Sequence, residues 1–231
     1  MTDLVALVTG ASSDIGSAVV HRLADIGFHV IASGRDHGKL MRTATGRHGS
    51  IDIVAADMTT ADGRQAVEEA VRRHEQLDLL VLGSGIYERS ADPDGLTRQF
   101  AANVDGPYRL TRGVLPMLVK SKGLVVVLNS TQGLAASAGI GPYAATQHAM
   151  RALADSLREE VNSLGVRVTS LFLGRTATAR QATIFAMEQR PYVPELLIQP
   201  ADIAFVIGSL AVLPGTSEVT NITVRPRIKS Y

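Results

Sequence analysis

Short, nearly continuous apolar runs alternate with amphipathic stretches along most of this chain. Leu4–Val8, Phe28–Ala32, Ile51–Ala55, Leu79–Leu82, Leu124–Leu128 and Val166–Phe172 are rich in Val, Ile or Leu. Runs so uniformly apolar predict strands covered on both faces. Helical patterns lie between them, at about Ile15–Ile26, Asp62–His74, Gly95–Val119 and Tyr143–Leu164. A further helix is expected at Ala201–Leu213 and a last strand at Val219–Val224. Strand–helix alternation of this kind produces right-handed βαβ crossovers. The predicted fold class is therefore α/β: a doubly wound parallel sheet of about seven strands, with helices on both faces. The least regular stretch is 176–200, which holds Pro191, Pro194 and Pro200.

Composition narrows the picture. The 231 residues are 45% hydrophobic, enough for one sizeable core and too few for two comfortable α/β units. A single domain over 1–231 is expected. Basic and acidic residues number 23 and 22 and are well mixed. No basic stripe points to nucleic acid, and 4% aromatics offer little base-stacking surface. Cysteine is absent, which excludes disulfides, thiolate metal sites and cysteine nucleophiles and fits a reducing compartment. No other metal-ligand set is read from the chain. The longest apolar stretch, Ile203–Leu213, is interrupted by Gly208 and Ser209 and is too short for a bilayer. Met1-Thr2-Asp3 carries no basic residue and runs into the first strand, so no signal peptide, no membrane partner and a cytoplasmic location are expected.

The first strand–helix junction reads Thr9-Gly10-Ala11-Ser12-Ser13-Asp14-Ile15-Gly16. Backbone N–H groups and the positive end of a helix dipole hold a pyrophosphate at such a turn. Gly10 and Gly16 suit the tight turn and the close approach. The alternative is a plain turn with Asp14 as helix cap. The second strand ends at Ser33-Gly34-Arg35-Asp36. An acid there would bind a ribose 2′-hydroxyl, whereas Arg35 offers a planar fork to a 2′-phosphate. Arg35 comes first, so NADP(H) is favoured over NAD(H); Asp36 keeps NAD(H) open.

Tyr143 and Gln147 stand one helical turn apart, and Ser130 lies 13 residues before Tyr143 in Asn129-Ser130-Thr131-Gln132-Gly133. In order and spacing these resemble the short-chain dehydrogenase/reductase family, with its Rossmann-type fold. The glycine turn resembles the family's Thr-Gly-x-x-x-Gly-x-Gly, with Asp14 in place of the middle Gly. Asn103 resembles the family's helix-four Asn, which anchors a proton-relay water. Gln147 stands where the family has Lys. The resemblance reaches from Leu4 to about Pro226. It places Asp57, followed by Met58, beside an adenine. Gly83-Ser84-Gly85 falls on the family's Asn-Asn-Ala-Gly, with both Asn missing. Leu173-Gly174-Arg175-Thr176-Ala177-Thr178 falls on Pro-Gly-x-Val-x-Thr, where Thr178 would touch the carboxamide or a phosphate. A substrate lid follows at about 176–200, where Phe185, Met187 and Tyr192 would line an apolar pocket.

What the resemblance implies is an oxidoreductase acting on a small carbonyl or alcohol substrate. The Tyr exchanges a proton with the substrate oxygen, the Ser holds that oxygen, and the Lys binds the nicotinamide ribose and lowers the Tyr pKa. A cation ~5 Å from the phenol, at an effective dielectric of ~20, contributes ~3 kcal/mol, roughly two pH units. Gln147 shares the helix face of Tyr143 and can hydrogen-bond a ribose, but carries no charge. Alcohol oxidation needs a tyrosinate and carbonyl reduction a neutral Tyr. Reduction, weakened or specialised, is therefore the expected direction. Two alternatives remain: a non-redox isomerase, dehydratase or cyclase using Ser130 and Tyr143, and a non-catalytic binding protein. The family's subunit interface falls on Gly95–Val119 and Tyr143–Leu164, where Ala144, Ala145, Ala149, Ala152 and Ala154 permit close packing in a homodimer or homotetramer, though such small residues equally suit burial within one subunit.

Overall fold

The computed structural model describes residues 4–45, 50–89 and 93–228; Met1-Thr2-Asp3 and Lys229 lie outside the described residues. Seven strands form one sheet: β1 Leu4–Thr9, β2 Phe28–Gly34, β3 Ile51–Ala55, β4 Leu79–Leu82, β5 Leu124–Ser130, β6 Arg167–Leu173 and β7 Asn221–Val224. Eight α-helices accompany them: α1 Asp14–Asp25, α2 His37–Ala44, α3 Ala61–Arg72, α4 Pro93–Phe100, α5 Gly106–Ser121, α6 Gly141–Val161, α7 Ala179–Met187 and α8 Pro200–Ala211. The strand order is β3-β2-β1-β4-β5-β6-β7, and every pairing is parallel. The winding reverses between β1 and β4. In such sheets the ligand crevice opens there, beyond the carboxyl ends of the strands.

The two faces are sorted by the two-residue period of the strands. From β1, Ala6 and Val8 join Val19, Val20 and Leu23 of α1 and Ile203 and Ile207 of α8. Val5 and Leu7 face the other way, to Val67 and Val71 of α3, Leu110, Val114 and Leu118 of α5, and Met150 and Ala154 of α6. Both layers are thus built from the same continuous apolar runs, as expected for a sheet covered on both sides.

Three details differ from the sequence-based expectation. The pattern over Gly95–Val119 predicts one helix, but α4 and α5 are joined by a π-helical turn at Ala101–Asp105. At Gly106 a Cβ would lie 2.6 Å from the Met58 carbonyl oxygen, so the chain passes too close there for any larger residue. The eight-residue α2 goes unread because its only large apolar residues are Leu40 and Met41 and Gly38 weakens its first turn. A nine-residue helix, α7, lies inside the stretch expected to be least regular. Helix α8 and β7 end within about two residues of their expected limits, the usual margin for element ends.

Candidate active site

The glycine turn packs as its sequence requires. Gly10 has φ +68°, and a Cβ on it would meet the Gly83 carbonyl oxygen at 2.6 Å. A Cβ on Gly16 would lie 2.2 Å from the Gly10 carbonyl oxygen. Helix α1 therefore seats directly on the turn. The cap is Ser13, not Asp14: its hydroxyl oxygen accepts from the Gly16 N–H at 3.1 Å and donates to the Gly10 carbonyl at 2.8 Å. Asp14, free of that task, reaches out of the turn and accepts from the Ala179 N–H at 2.8 Å. That bond joins the glycine turn to the start of α7.

Beside the turn, Ser12 packs against Gly34, where a Cβ would meet its hydroxyl oxygen at 2.9 Å. Arg35 is exposed. Asp36 is committed elsewhere: it caps α2, accepting from the Lys39 N–H at 2.9 Å. That bond holds its carboxyl below the usual range, with the Lys39 charge helping. Lys39 and Arg42, from the same helix, border an open recess with Ser12 and Ser13. Neither stood out in the sequence, because α2 itself did not. Asp57 accepts from the backbone N–H and hydroxyl of Thr59 at 2.9 and 2.8 Å. The Thr59 backbone bond does most to lower its pKa, and Arg35 adds a smaller pull. Met58 is buried, and its carbonyl accepts from Arg64.

The loop after β4 is pinned from two sides. Thr9 accepts through its hydroxyl oxygen from the Gly83 and Ser84 N–H groups, at 3.1 and 3.2 Å. Asn103 accepts from the Ile86 N–H at 2.7 Å and donates to the Ile86 carbonyl at 2.9 Å and the Thr146 hydroxyl at 3.1 Å. Its side chain clamps this loop to α6. Among the described residues, buried Ser84 Oγ has no hydrogen-bond partner, which leaves it free to bond a ligand. Gly85 lies against Asn103, and its carbonyl accepts from Arg180 Nη2 at 2.7 Å.

Ser130, at the end of β5, and Tyr143, in the first turn of α6, line the same cleft. Buried Asn129 sets their spacing. Its Oδ1 accepts from the Ser130 N–H at 2.6 Å, and its Nδ2 donates to the Gln147 carbonyl at 3.0 Å. Burial pushes the Tyr143 phenol up, and Tyr87 adds to this; the Arg180 charge and a hydrogen bond with Ser130 pull it down. The Tyr87 ring meets the Tyr143 ring edge-on, centroids 5.1 Å apart. The Gln147 side chain is buried and donates to the Thr146 hydroxyl at 3.4 Å.

The main cleft, about 510 Å³, runs from Ser12–Ile15 past Gly83 to Ser130 and Tyr143 and is closed by Gly174, Thr176 and Thr178–Arg180. Thr178 caps α7, accepting from the Gln181 N–H at 3.1 Å. Thr176 is buried and donates to the Gly174 carbonyl, a bond internal to the loop. The apolar lid pocket expected from Phe185, Met187 and Tyr192 does not form. Phe185 is buried beneath the guanidinium of Arg175, 4.6 Å from its ring, Met187 is 62% exposed, and Tyr192 borders the outer recess. Charged groups take the lid's inner face instead. Arg175 and Glu188 pair at 2.9 Å, and Arg89 stands 3.8 Å from the same carboxylate. One polar group unread in the sequence sits at the opposite edge of the sheet, where His29 and His74 converge on Asp52.

The sequence profile described as short chain dehydrogenase matches residues 4–189. The chain belongs to the short-chain dehydrogenase family. An uncharacterized short-chain type dehydrogenase/reductase of Sinorhizobium fredii is 31% identical to this short-chain dehydrogenase over 231 residues, covering 96% of this chain and 91% of that one. An uncharacterized oxidoreductase of Mycobacterium tuberculosis is 34% identical over 229 residues, covering 96% and 91%. Among solved structures, a metagenomic short-chain oxidoreductase in complex with NADP superposes with a TM-score of 0.82 at 28% identity, covering 98% of both chains. Actinorhodin polyketide ketoreductase with NADPH superposes at 0.88 over 97% of this chain and 96% of that one, and at 23% identity the likeness is one of fold. This short-chain dehydrogenase is thus an oxidoreductase with the expected seven-stranded, Rossmann-type architecture.

Proposed function

We propose that this dehydrogenase is an NADP(H)-dependent carbonyl reductase acting on a small ketone or aldehyde, with Tyr143 as proton donor. The observation that carries this reading is the Ser130–Tyr143 pair, which lines the same cleft as the glycine turn. The residues present fit a dinucleotide. Ser84 Oγ is buried and has no partner among the described residues, and at Gly10 and Gly16 the turn packs too closely against backbone for a side chain, as a tight phosphate-binding turn requires. Ser12, Ser13, Ile15 and Gly16 would hold the pyrophosphate, Asp57 and Met58 the adenine, Gly83–Gly85 and Gln147 the riboses, and Gly174, Thr176 and Thr178 the far end.

The choice of NADP(H) over NAD(H) rests on three cations and one occupied acid. Arg35, Lys39 and Arg42 flank the turn, and Asp36, the residue that would favour NAD(H), is engaged as the cap of α2. When bound, the nicotinamide supplies the hydride to the carbonyl carbon. Ser130 donates to the carbonyl oxygen and orients it. Tyr143 Oη passes its proton to that oxygen as the alcohol forms, and solvent returns a proton to the tyrosinate. Asn103 and Asn129 keep the β4 loop, β5 and α6 in register for this transfer.

Assembly into a homodimer or homotetramer through the outer faces of α5 and α6 accompanies this reading, and so does a cytoplasmic setting. Among the described residues no helix is long and apolar enough to cross a membrane. The function is tested by NADPH and NADH binding, read by nucleotide fluorescence, and by NADPH oxidation with a panel of ketones, aldehydes and quinones. Binding of NADPH in preference to NADH, with oxidation lost in Tyr143→Phe, is the expected result. Turnover that ignores the redox state of the nucleotide would instead assign the pair to cofactor-free chemistry.

A further inference from the structure

Helix α6 offers no cation one turn after Tyr143, yet a cation from another element lines the same cleft as the phenol. Arg180, the second residue of α7, donates through Nη2 to the Gly85 carbonyl at 2.7 Å. That bond lays the guanidinium across the cleft. Arg180 borders the main cleft together with Ser130 and Tyr143, and also the small recess that Tyr143 shares with Gln147. We propose that Arg180 is the positioning residue that supplies Tyr143 with the positive charge α6 lacks, leaving Gln147 with hydrogen bonding alone. The proposal rests on the reductase reading above.

Helix stability does not explain this placement. A cation in the first turn of a helix opposes the helix dipole, so Arg180 costs α7 rather than supporting it. The neighbours of Arg180 are held tightly. Thr178 caps the helix, and the Ala179 N–H donates to Asp14. The backbone before Arg180 is thereby fixed against the glycine turn while its side chain is fixed against the β4 loop.

The groups facing the phenol come from three elements. They are Arg180 from α7, Ser130 from β5 and Tyr87 from the loop after β4; Arg89, Arg175 and Glu188 stand around Tyr87. Burial acts most strongly and raises the Tyr143 pKa. Of the charged groups, Arg180 lowers it, and the neutral Tyr87 ring, once ionised, would raise it. In the family pattern one lysine binds ribose and supplies charge. Here the two tasks fall on Gln147 and Arg180, the first on a core helix and the second on the lid.

The test compares Arg180→Gln, Arg180→Lys and the pair Arg180→Gln/Gln147→Lys with the parent. The first readout needs no turnover. In protein labelled at the hydroxyl-bearing ring carbon of tyrosine, the Tyr143 NMR resonance is assigned by its loss in Tyr143→Phe and followed against pH. Arg180→Gln should move the phenol's midpoint up by about one pH unit. Arg180→Lys, and the lysine added in the paired variant, should each bring it back. The second readout is NADPH oxidation at saturating ketone. Arg180→Gln should slow it up to about tenfold, and the high-pH fall in rate should move by the same amount as the midpoint. NADPH affinity should stay within about fivefold.

An unmoved midpoint in Arg180→Gln overturns the proposal, whether or not the enzyme reduces ketones. Lost NADPH affinity with an unmoved midpoint would make Arg180 a cofactor ligand and also overturn it. A parent that neither binds nor oxidises NADPH overturns the reductase reading instead, and the midpoint then judges the proposal alone.

Discussion

The two walls of the cleft are built in opposite ways. The wall made by β5, α6 and the loop after β4 is held by buried side chains that each bond more than one element. Asn103 alone joins Ile86 to Thr146, and Asn129 joins Ser130 to Gln147. The wall made by the glycine turn and α7 is held by solvent-facing bonds: Asp14 to the Ala179 N–H and Arg180 to the Gly85 carbonyl. The first wall carries the proton chemistry and is pre-organised. The second carries the charges and closes on exposed contacts, which are individually weak. Departures from the family pattern fall on both walls. Ser130 and Tyr143 are kept on the first wall, while the charge changes on both: Gln147 leaves the first without its cation and Asp14 adds an anion to the second.

Disabling the rigid wall should have the largest effect. Tyr143→Phe removes the donor without disturbing Asn129, and reduction should fall about a thousandfold with NADPH binding kept. Next comes the clamp itself. Asn103→Ala removes the partner of the Ile86 N–H and carbonyl in a partly buried site and should cost about 1–3 kcal/mol in urea unfolding. A change confined to activity, with the unfolding midpoint unmoved, would contradict the clamping role. Gln147→Lys returns a charge to the rigid wall and should raise the rate of reduction about tenfold at neutral pH. The smallest effect belongs to the exposed wall. Asp14→Gly removes an anion beside the pyrophosphate turn and should tighten NADPH binding by up to about fivefold, less at high salt.

The pH dependence follows from the Tyr143 phenol. Reduction uses the protonated form, and burial holds its pKa above the ordinary value of 10.0. The rate should be flat through neutrality and fall only above that value. Fold stability has the same sign. Above about pH 10 the unfolded chain releases this proton while the folded chain retains it, so stability declines as pH rises through that window. A bell-shaped profile centred near neutrality would assign the proton to another group.

Much of the rigid wall was legible in the sequence, because its residues sit at fixed offsets within or between strong elements. Ser130 ends an apolar run, Tyr143 opens a helix and Gln147 follows one turn later. The conserved geometry of βαβ units does the rest. The exposed wall was not legible. Arg180 meets Gly85 and Asp14 meets Ala179 across long separations in sequence, and no local pattern announces either contact. Helix α7 lies among prolines, where propensity argues for a loop. The alternative of Asp14 as a cap rests on the preference of acids for that position, but Ser13 precedes it and takes the bond first. Asp36 was weighed as a ribose ligand when its nearest use was local, at the start of a helix too short to be seen.

Asn129 has one consequence of a different kind. A single amide measures the gap between the end of β5 and the first turns of α6, because it bonds backbone on both sides. Backbone is the one part of the chain that substitution leaves in place. The apolar residues beneath can therefore exchange size and shape over generations while the reacting pair above them stays at its working separation, and the lineage is freed to revise its core without losing its chemistry.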